Sequence, residues 1–183
     1  CLAAVVKMTT VGAYLLLLCL TALERLVEVR VSIRNARWAM SRGGVETGQV
    51  HYRWMVCLHT VFLVGCGLEV WLLDRMFQPV LGSTMLVLAL LCQALRWWCI
   101  RTLGPRWNTR VVVVPGLPRV TTGPYRYVAH PNYVAVVVEG VALPLVHGAW
   151  ITAGIFTVLN AALLSVRIRV EEQALTAAEG GVS

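Results

Sequence analysis

Five apolar runs separated by arginine-rich segments constrain the fold of this chain more than any other feature of its sequence. A helix that crosses a bilayer needs about 20 mostly apolar residues, because the hydrocarbon core is about 30 Å thick. The runs predict helices at residues 8–23 (extended back towards Leu2), 54–73, 79–95, 132–146 and 149–166. Only His147 and Gly148 separate the last two, which predicts a tight helical hairpin. We therefore predict an all-α integral membrane protein with about five transmembrane helices in a single membrane domain, residues 1–183.

The composition supports a membrane location over other classes of protein. Of the 183 residues, 58% are hydrophobic and only 14% are charged, whereas a soluble domain carries about 25% charged residues. A chain of this size leaves roughly a third of its unfolded surface exposed, so this many apolar side chains cannot all be hidden in a core. These values exclude an ordinary cytosolic enzyme and a disordered chain.

The positions of the positive charges argue against nucleic-acid binding, although the net charge is +7. Fourteen of the sixteen basic residues lie in residues 24–53, in residues 96–126 or after residue 166, and only Lys7 and Arg75 lie elsewhere. Such segregation between apolar runs follows the positive-inside rule. We predict a multi-pass protein with its amino terminus outside, its carboxy terminus and arginine-rich loops in the cytoplasm, and membrane lipids as partners.

The six cysteines, at positions 1, 19, 57, 66, 92 and 99, form no C-x-x-C pair. Five of them lie in or beside apolar runs, where a free cysteine packs as a small hydrophobic residue. Neither a disulfide framework nor a zinc site is expected from this spacing, and no metal site is predicted. Cys1 fits a lipidated amino terminus or a clipped one, and the second is favoured. The run 8–23 is long for a signal peptide, and no A-x-A site follows it.

A first candidate for chemistry lies at residues 121–133, before and at the start of the fourth predicted helix. Pro131 suits the first turn of a helix, where unpaired backbone N–H groups and the helix dipole favour an anion. His130 and Tyr133 flank that end. The alternative interpretation is an aromatic belt, in which Tyr125, Tyr127 and Tyr133 anchor the helix among lipid headgroups. Chemistry alone leaves the two interpretations open.

A second candidate follows the fifth run. Arg167 and Glu171 are four residues apart and share a helix face, as do Arg169 and Glu172 at a spacing of three. Intrahelical ion pairs are the simpler interpretation, and each is worth a few tenths of a kcal/mol. The predicted hairpin, however, returns this end of the fifth helix to the start of the fourth. Arg167 and Glu171 are therefore expected close to His130 and Tyr133.

Two glutamates inside predicted spans form a third candidate. Glu139 and Glu69 are ionisable, and an ionisable side chain in a span marks a functional site by default because burying it is costly. A protonated glutamate bonded to a neighbouring helix is the structural alternative. The sequence contains no G-x-G-x-x-G, P-loop, G-x-S-x-G or H-E-x-x-H motif, so a helical bundle and its loops must hold any cofactor.

At these residues the sequence resembles the isoprenylcysteine carboxyl methyltransferase family of integral membrane enzymes. The resemblance covers residues 103–175 and is carried by Gly123-Pro124-Tyr125, His130-Pro131-Asn132-Tyr133, Asn160 and Arg167-x-x-x-Glu171-Glu172-x-x-Leu175. The segment 107–116, together with Gly43-Gly44-Val45-Glu46 and His51-Tyr52, is similar to a bacterial branch of the family. Some members of that branch act beside type III polyketide synthases and O-methylate alkylpyrones or alkylresorcinols.

The resemblance implies S-adenosylmethionine as the methyl donor, three amino-terminal helices in residues 1–100 and a catalytic region in residues 101–183. A cytoplasmic loop and the carboxy-terminal helix would then bind the donor. Its implied contacts are Leu117, Pro118, Arg119, Val120, Tyr125, His130, Pro131, Asn132, Tyr133 and Glu171. Glu171 would hold the ammonium group and Arg167 the acceptor, and both are the implied catalytic residues. Asn108 and Glu139 are further candidates for contact with the acceptor.

The function expected on this basis is S-adenosylmethionine-dependent O-methylation of a carboxylate, enol or phenol oxygen on a lipophilic substrate that enters from the bilayer. Two alternatives stay open. A nicotinamide-dependent sterol-type membrane reductase also carries a His-Pro-x-Tyr-like element, but typically continues into a longer tail. A non-enzymatic membrane scaffold would use its arginine-rich loops to bind anionic headgroups.

Overall fold

Five α-helices and one small sheet make up the protein, whose computed structural model describes residues 2–180. In chain order they are α1 (Leu2–Met40), β1 (Val45–Thr47), α2 (Gln49–Leu72), α3 (Pro79–Leu103), β2 (Val111–Val113), α4 (Pro131–Leu145) and α5 (Trp150–Gly180). Short 3-10 turns occupy Gly104–Arg106 and Gly123–Arg126. The two expectations for Cys1 lie outside the described residues. The predicted all-α membrane architecture is confirmed at this level.

Four of the helices, α1, α2, α3 and α5, are long and apolar enough to cross a membrane. The fourth predicted span is shorter than that, because α4 contains only 15 residues between Pro131 and Leu145. Five full-length spans are therefore not what the helix lengths support. Most of α4 is buried, since it packs against α3 on one side and α5 on the other. Its Pro131 occupies the first turn, as expected for a helix start.

The helix α1 is much longer than the apolar run that predicts it. The sequence indicated a loop from residue 24, but the helix continues to Met40, so this prediction was wrong for residues 24–40. Arginine and glutamate are good helix formers, and here Glu28, Ser32 and Asn35 share one buried face at helical spacing. Likewise α3 runs to Leu103, eight residues past its predicted end at 95.

A buried ionic cluster explains why charged residues continue these helices. It consists of Glu24, Arg25 and Glu28 on α1, Gln93 and Arg96 on α3, and Glu139 on α4. Arg96 donates to Glu139, Gln93 donates to Glu139 at 3.1 Å, and Arg25 donates to Glu28 at 3.0 Å. A charge in an apolar interior is tolerated only when it is paired and hydrogen-bonded. The cluster therefore joins α1, α3 and α4.

Glu69 stabilises the opposite end of the bundle. Its carboxylate accepts hydrogen bonds from the backbone N–H groups of Ile151 at 3.1 Å and Thr152 at 2.7 Å, and from Arg75 at 2.9 Å. The first N–H groups of a helix lack partners within the helix and favour a negative charge. Glu69 of α2 thus caps the start of α5 across a tertiary contact.

The sheet consists of two antiparallel strands beside the arginine-rich end of the bundle. Val45 pairs with Val113 and Thr47 pairs with Val111. The β-branched stretch 111–114, which stops at Pro115, predicts a short extended segment, and β2 confirms it. The glycines of residues 41–48 predict a turn, but Val45–Thr47 form β1. The sequence predicts a frayed tail at residues 176–183, but α5 remains helical through Gly180, so this prediction was wrong for residues 176–180.

Candidate active site

A cavity of about 360 Å³ lies at the arginine-rich end, between α4, α5 and the segments that follow α3. Pockets for small molecules and cofactors measure roughly 300–1,000 Å³, so the cavity can hold one. Eleven of the predicted site residues line it: Asn108, Leu117, Pro118, Arg119, Val120, Tyr125, His130, Asn132, Tyr133, Arg167 and Glu171. Among the described residues, no group of His, Cys, Asp and Glu side chains is arranged to hold a metal ion.

Tyr133 connects the two residues expected to carry the chemistry. Arg167 donates from Nε to the Tyr133 hydroxyl at 2.8 Å, and that hydroxyl donates to Glu171. Arg167 thus faces α4, although its spacing from Glu171 suggested an intrahelical ion pair. One phenol oxygen therefore lies between a cation and a carboxylate in the cavity wall.

Arg167 is buried, with 8% of its surface exposed, and its remaining nitrogens also have partners. Nη2 donates to the backbone oxygen of Thr109 at 2.7 Å, and Nη1 lies 3.2 Å from the sulfur of Met55. A thioether is a weak acceptor, so Nη1 is the least strongly held of the three nitrogens. The guanidinium is therefore fixed in position, and Nη1 can exchange the weak sulfur acceptor for a stronger one.

Glu172 makes contacts between elements too, where the sequence suggested a pair with Arg169. His130 donates from Nε2 to Glu172 at 2.9 Å, and Arg119 donates to the same carboxylate at 3.1 Å. The His130 ring stacks on Tyr133 with 5.3 Å between ring centroids. These bonds join the 117–120 segment, the start of α4 and the end of α5 into one wall.

Some backbone N–H groups at the start of α4 already have hydrogen-bond acceptors within the protein. The N–H groups of Tyr133 and Val134 both donate to the His130 carbonyl, at 3.1 and 3.3 Å. Pro118 likewise accepts from Arg106 at 2.7 Å through its carbonyl. The groups of the cavity that can still form hydrogen bonds with a ligand are therefore mainly side chains. One of these is Tyr125, whose pKa is raised by burial, so its hydroxyl keeps its proton.

The three tyrosines of the expected aromatic belt separate into two groups. Tyr127 is 75% exposed, as a headgroup anchor would be, whereas Tyr125 and Tyr133 line the cavity. Two predicted site residues do not line it. Pro131 is buried in the first turn of α4, and Glu139 belongs to the ionic cluster with Arg96.

Sequence reasoning missed three residues that hold the cavity wall: Thr109, which accepts from Arg167, and the buried pair Ser32 and Asn35 on α1. Polar residues at 28, 32 and 35 recur on one helix face, which is the signal that could have revealed a buried polar contact. The arginines interspersed among them made the segment resemble a loop.

Comparison with known proteins finds one matching family model and two similar proteins. The model of the isoprenylcysteine carboxyl methyltransferase (ICMT) family matches residues 85–177, which include α4, most of α5 and most of the cavity lining. The uncharacterized protein YpbQ of Bacillus subtilis is 37% identical over 163 residues, which are 87% of this chain and 95% of that protein. An uncharacterized protein of Haemophilus influenzae is 24% identical over 161 residues, 86% of this chain and 91% of that protein.

The chain belongs to the isoprenylcysteine carboxyl methyltransferase family. Membership suggests a membrane methyltransferase and favours neither the reductase nor the scaffold alternative. Both relatives match nearly their whole length, so the similarity to these two proteins extends beyond residues 85–177.

Proposed function

We propose that this protein is an S-adenosylmethionine-dependent O-methyltransferase of the membrane, with its active site on the cytoplasmic side and a lipophilic acceptor that enters from the bilayer. The observation that carries the proposal is the cavity of about 360 Å³ in which Tyr133 joins Arg167 to Glu171. A carboxylate suits the ammonium group of the donor, and a buried guanidinium suits an anionic oxygen of the acceptor. The family supports the reaction class.

The residues present fit the donor. S-adenosylmethionine supplies a methyl group activated by a positive sulfonium, and it also carries an ammonium group and a carboxylate. Glu171 lines the cavity, and so does Asn132, whose Oδ1 is buried without a hydrogen-bond partner among the described residues. A buried acceptor without a partner is costly, so a donor group of a ligand satisfies it. The Glu171 carboxylate and Oδ1 of Asn132 can both accept hydrogen bonds from an ammonium group.

The acceptor oxygen needs orientation more than it needs a base. A carboxylate is already anionic, and an enol or phenol becomes so by losing its proton. Arg167 would hold that oxygen through Nη1, the nitrogen now paired with a weak sulfur acceptor. Holding two reactants in line supplies a large part of the rate. Ala39, Leu103 and Val111 add an apolar lining for the acceptor's tail.

The acceptors that we propose are a prenylcysteine carboxylate or the oxygen of an alkylpyrone or alkylresorcinol. The resemblance of segment 107–116 supports the second, and this segment includes Asn108, Arg110 and Val111 of the cavity lining. The acceptor residues of the proposal are Arg167 and Asn108. Glu139 is not among them, because it is paired with Arg96 outside the cavity.

Calorimetric titration of the detergent-purified protein with S-adenosylmethionine and its demethylated product tests the donor site. We expect micromolar binding that Glu171→Gln weakens at least tenfold, because a charge-assisted bond is worth about 1.5–3 kcal/mol. Asp74→Asn is the matched control, since Asp74 lies at the opposite end and pairs with Lys7. Absence of binding to folded wild-type protein would refute the proposal.

A further inference from the structure

Two polar side chains of α1 hold the loop that carries Asn108. Ser32 and Asn35 are 2% and 4% exposed. Asn35 donates to the backbone oxygens of Gly104 at 3.1 Å and Trp107 at 2.8 Å. Ser32 accepts from the backbone N–H of Thr109 at 3.0 Å. The loop between α3 and β2 is therefore anchored to a helix that contributes only Ala39 to the cavity lining.

Ser32 also makes a side-chain contact that Asn35 does not make. Its hydroxyl donates to Oδ1 of Asn108 at 2.7 Å. The amide of Asn108 can turn over by half a rotation about its last torsion, which exchanges its oxygen and its nitrogen. The Ser32 oxygen already accepts from the backbone N–H of Thr109 at 3.0 Å and lies 2.8 Å from the Thr109 hydroxyl, so what it offers to Asn108 is its proton. The bond to Ser32 therefore favours the rotamer in which the amide oxygen faces α1, and Nδ2 faces the other way.

The nitrogen selected in this way has no protein partner. Nδ2 of Asn108 is buried and lacks a hydrogen bond within the part of the chain that is described, while Asn108 lines the cavity. A buried donor without a partner is unfavourable. An oxygen of a bound molecule would remove that cost.

We propose that Ser32 is a positioning residue for the acceptor: it orients the Asn108 amide so that Nδ2 donates to an oxygen of the acceptor. This inference rests on the proposed function and deepens it. With the hydroxyl removed, the amide is free to present Oδ1 to the acceptor, and two oxygens without a proton between them repel. Ser32 thereby selects which atom the acceptor meets.

A double-mutant cycle separates this role from simple anchoring of the loop. The variants are Ser32→Ala, Asn108→Ala and their combination, with Ser32→Thr as the conservative change that keeps the hydroxyl. The assay measures transfer of radiolabelled methyl to an S-prenylated N-acetylcysteine or a long-chain alkylresorcinol, whichever the wild type methylates. Calorimetry measures S-adenosylmethionine affinity in parallel.

We expect Ser32→Ala and Asn108→Ala each to lower kcat/KM for the acceptor about tenfold, with donor affinity within twofold of wild type, since one hydrogen bond is lost in each. In the Asn108→Ala background, Ser32→Ala should have almost no further effect, because interacting residues are not additive. Ser32→Thr should restore activity. Asn35→Ala loosens the loop without touching the amide, so its effect should add fully to that of Asn108→Ala.

A Ser32→Ala effect that is undiminished in the Asn108→Ala background would overturn the inference, since Ser32 would then act through Thr109. Donor binding with an additive cycle would leave the proposed function standing, whereas no donor binding would remove both.

A spectroscopic measurement needs no acceptor. The chain contains four asparagines, so ¹⁵N-asparagine labelling gives few side-chain signals, and Asn108→Ala identifies the one of interest. Its NH₂ signals should shift in Ser32→Ala and return in Ser32→Thr. Where the alanine variant does not fold, Ser32→Cys provides a weaker donor of similar size. Unchanged Asn108 signals in the folded variant would contradict the orienting bond.

Discussion

The guanidinium of Arg167 donates a hydrogen bond of 2.8 Å from Nε to the hydroxyl of Tyr133. The two residues are 34 positions apart and lie on different helices, so the bond fixes how the end of α5 meets the start of α4. The hydroxyl also donates to Glu171. One phenol therefore positions both Arg167, proposed to bind the methyl acceptor, and Glu171, proposed to bind the methyl donor.

Tyr133→Phe removes that hydroxyl and keeps the ring that stacks on His130. Arg167 then loses an acceptor in a buried setting, which costs about 1.5–3 kcal/mol. We expect kcat/KM for methyl transfer to fall roughly tenfold to a hundredfold, as measured with radiolabelled donor. Tyr127→Phe is the control, since Tyr127 is exposed. Equal activity of the two variants would show that the hydroxyl has no role.

Arg167→Lys tests binding of the methyl acceptor separately from binding of the methyl donor. A lysine ammonium cannot reproduce the planar fork that reaches Tyr133, Thr109 and the cavity at once. We expect at least a tenfold loss of methyl transfer, while calorimetry finds S-adenosylmethionine affinity within threefold of wild type. Arg169→Lys on the exposed side of the same helix should be neutral in both measurements. A parallel loss of donor affinity would place Arg167 in the donor site instead.

Glu139→Gln tests whether Glu139 stabilises the fold rather than binding the acceptor. The change leaves Arg96 buried with an incomplete set of negative partners, and breaking a buried pair costs about 3–5 kcal/mol. We expect a marked drop in the thermal unfolding temperature in detergent. Asp74→Asn breaks the exposed pair with Lys7 and should change it little, because such pairs contribute at most about 1 kcal/mol.

The outcome that contradicts this view is a stable Glu139→Gln protein with a raised KM for the acceptor. That result would return Glu139 to the acceptor site.

Gly140→Ala tests the packing of α4 on α5. An added Cβ would lie 2.4 Å from the ring of Phe156, and that ring is itself packed against Phe62 with 4.1 Å between centroids. Overfilling such a contact costs about 1–3 kcal/mol, so the unfolding temperature should fall. Gly154→Ala is the control, because nothing lies within 4 Å of its added Cβ. Equal stability of both variants would indicate a looser contact than the structure shows.

Single-cysteine labelling tests the orientation proposed from the arginine distribution. Arg42 and Asp74 are exposed and lie in turns at opposite ends of α2. We expect a membrane-impermeant maleimide to label Asp74→Cys on intact cells and Arg42→Cys only after permeabilisation. The parent protein provides the background from its own cysteines. The reverse pattern would place the cavity outside the cytoplasm.

The sequence predicts the helical membrane fold well, because spans of this length leave a strong apolar signal. The short link after Leu145 also predicts that the end of α5 lies near the start of α4, and the bond between Arg167 and Tyr133 agrees with that prediction. What an i, i+4 spacing could not show is that Arg167 contacts Tyr133. The Arg167 side chain is buried, so each of its nitrogens needs a hydrogen-bond acceptor within the protein. The three acceptors belong to Tyr133, Met55 and Thr109, and Glu171 on the same helix face is not one of them.

The extension of α1 was beyond the sequence for a different reason. Glu28 contacts Arg96 at 3.5 Å, and the two are far apart in the chain. A charged residue is predicted to be exposed unless its partner is known, and pairing between distant helices leaves no local pattern. The same holds for Ser32 and Asn35, whose partners lie on a loop after α3.

The uninterrupted course of α1 has a mechanical consequence. From Lys7, paired with Asp74 at one end, to Asn35, bonded to Gly104 and Trp107 at the other, the chain contains no hinge. A helix responds to a thicker or thinner bilayer by changing its tilt, and a stiff rod transmits that tilt along its length. The loop bearing Asn108 is bonded to this helix, so we expect bilayer thickness to affect the proposed binding of the acceptor.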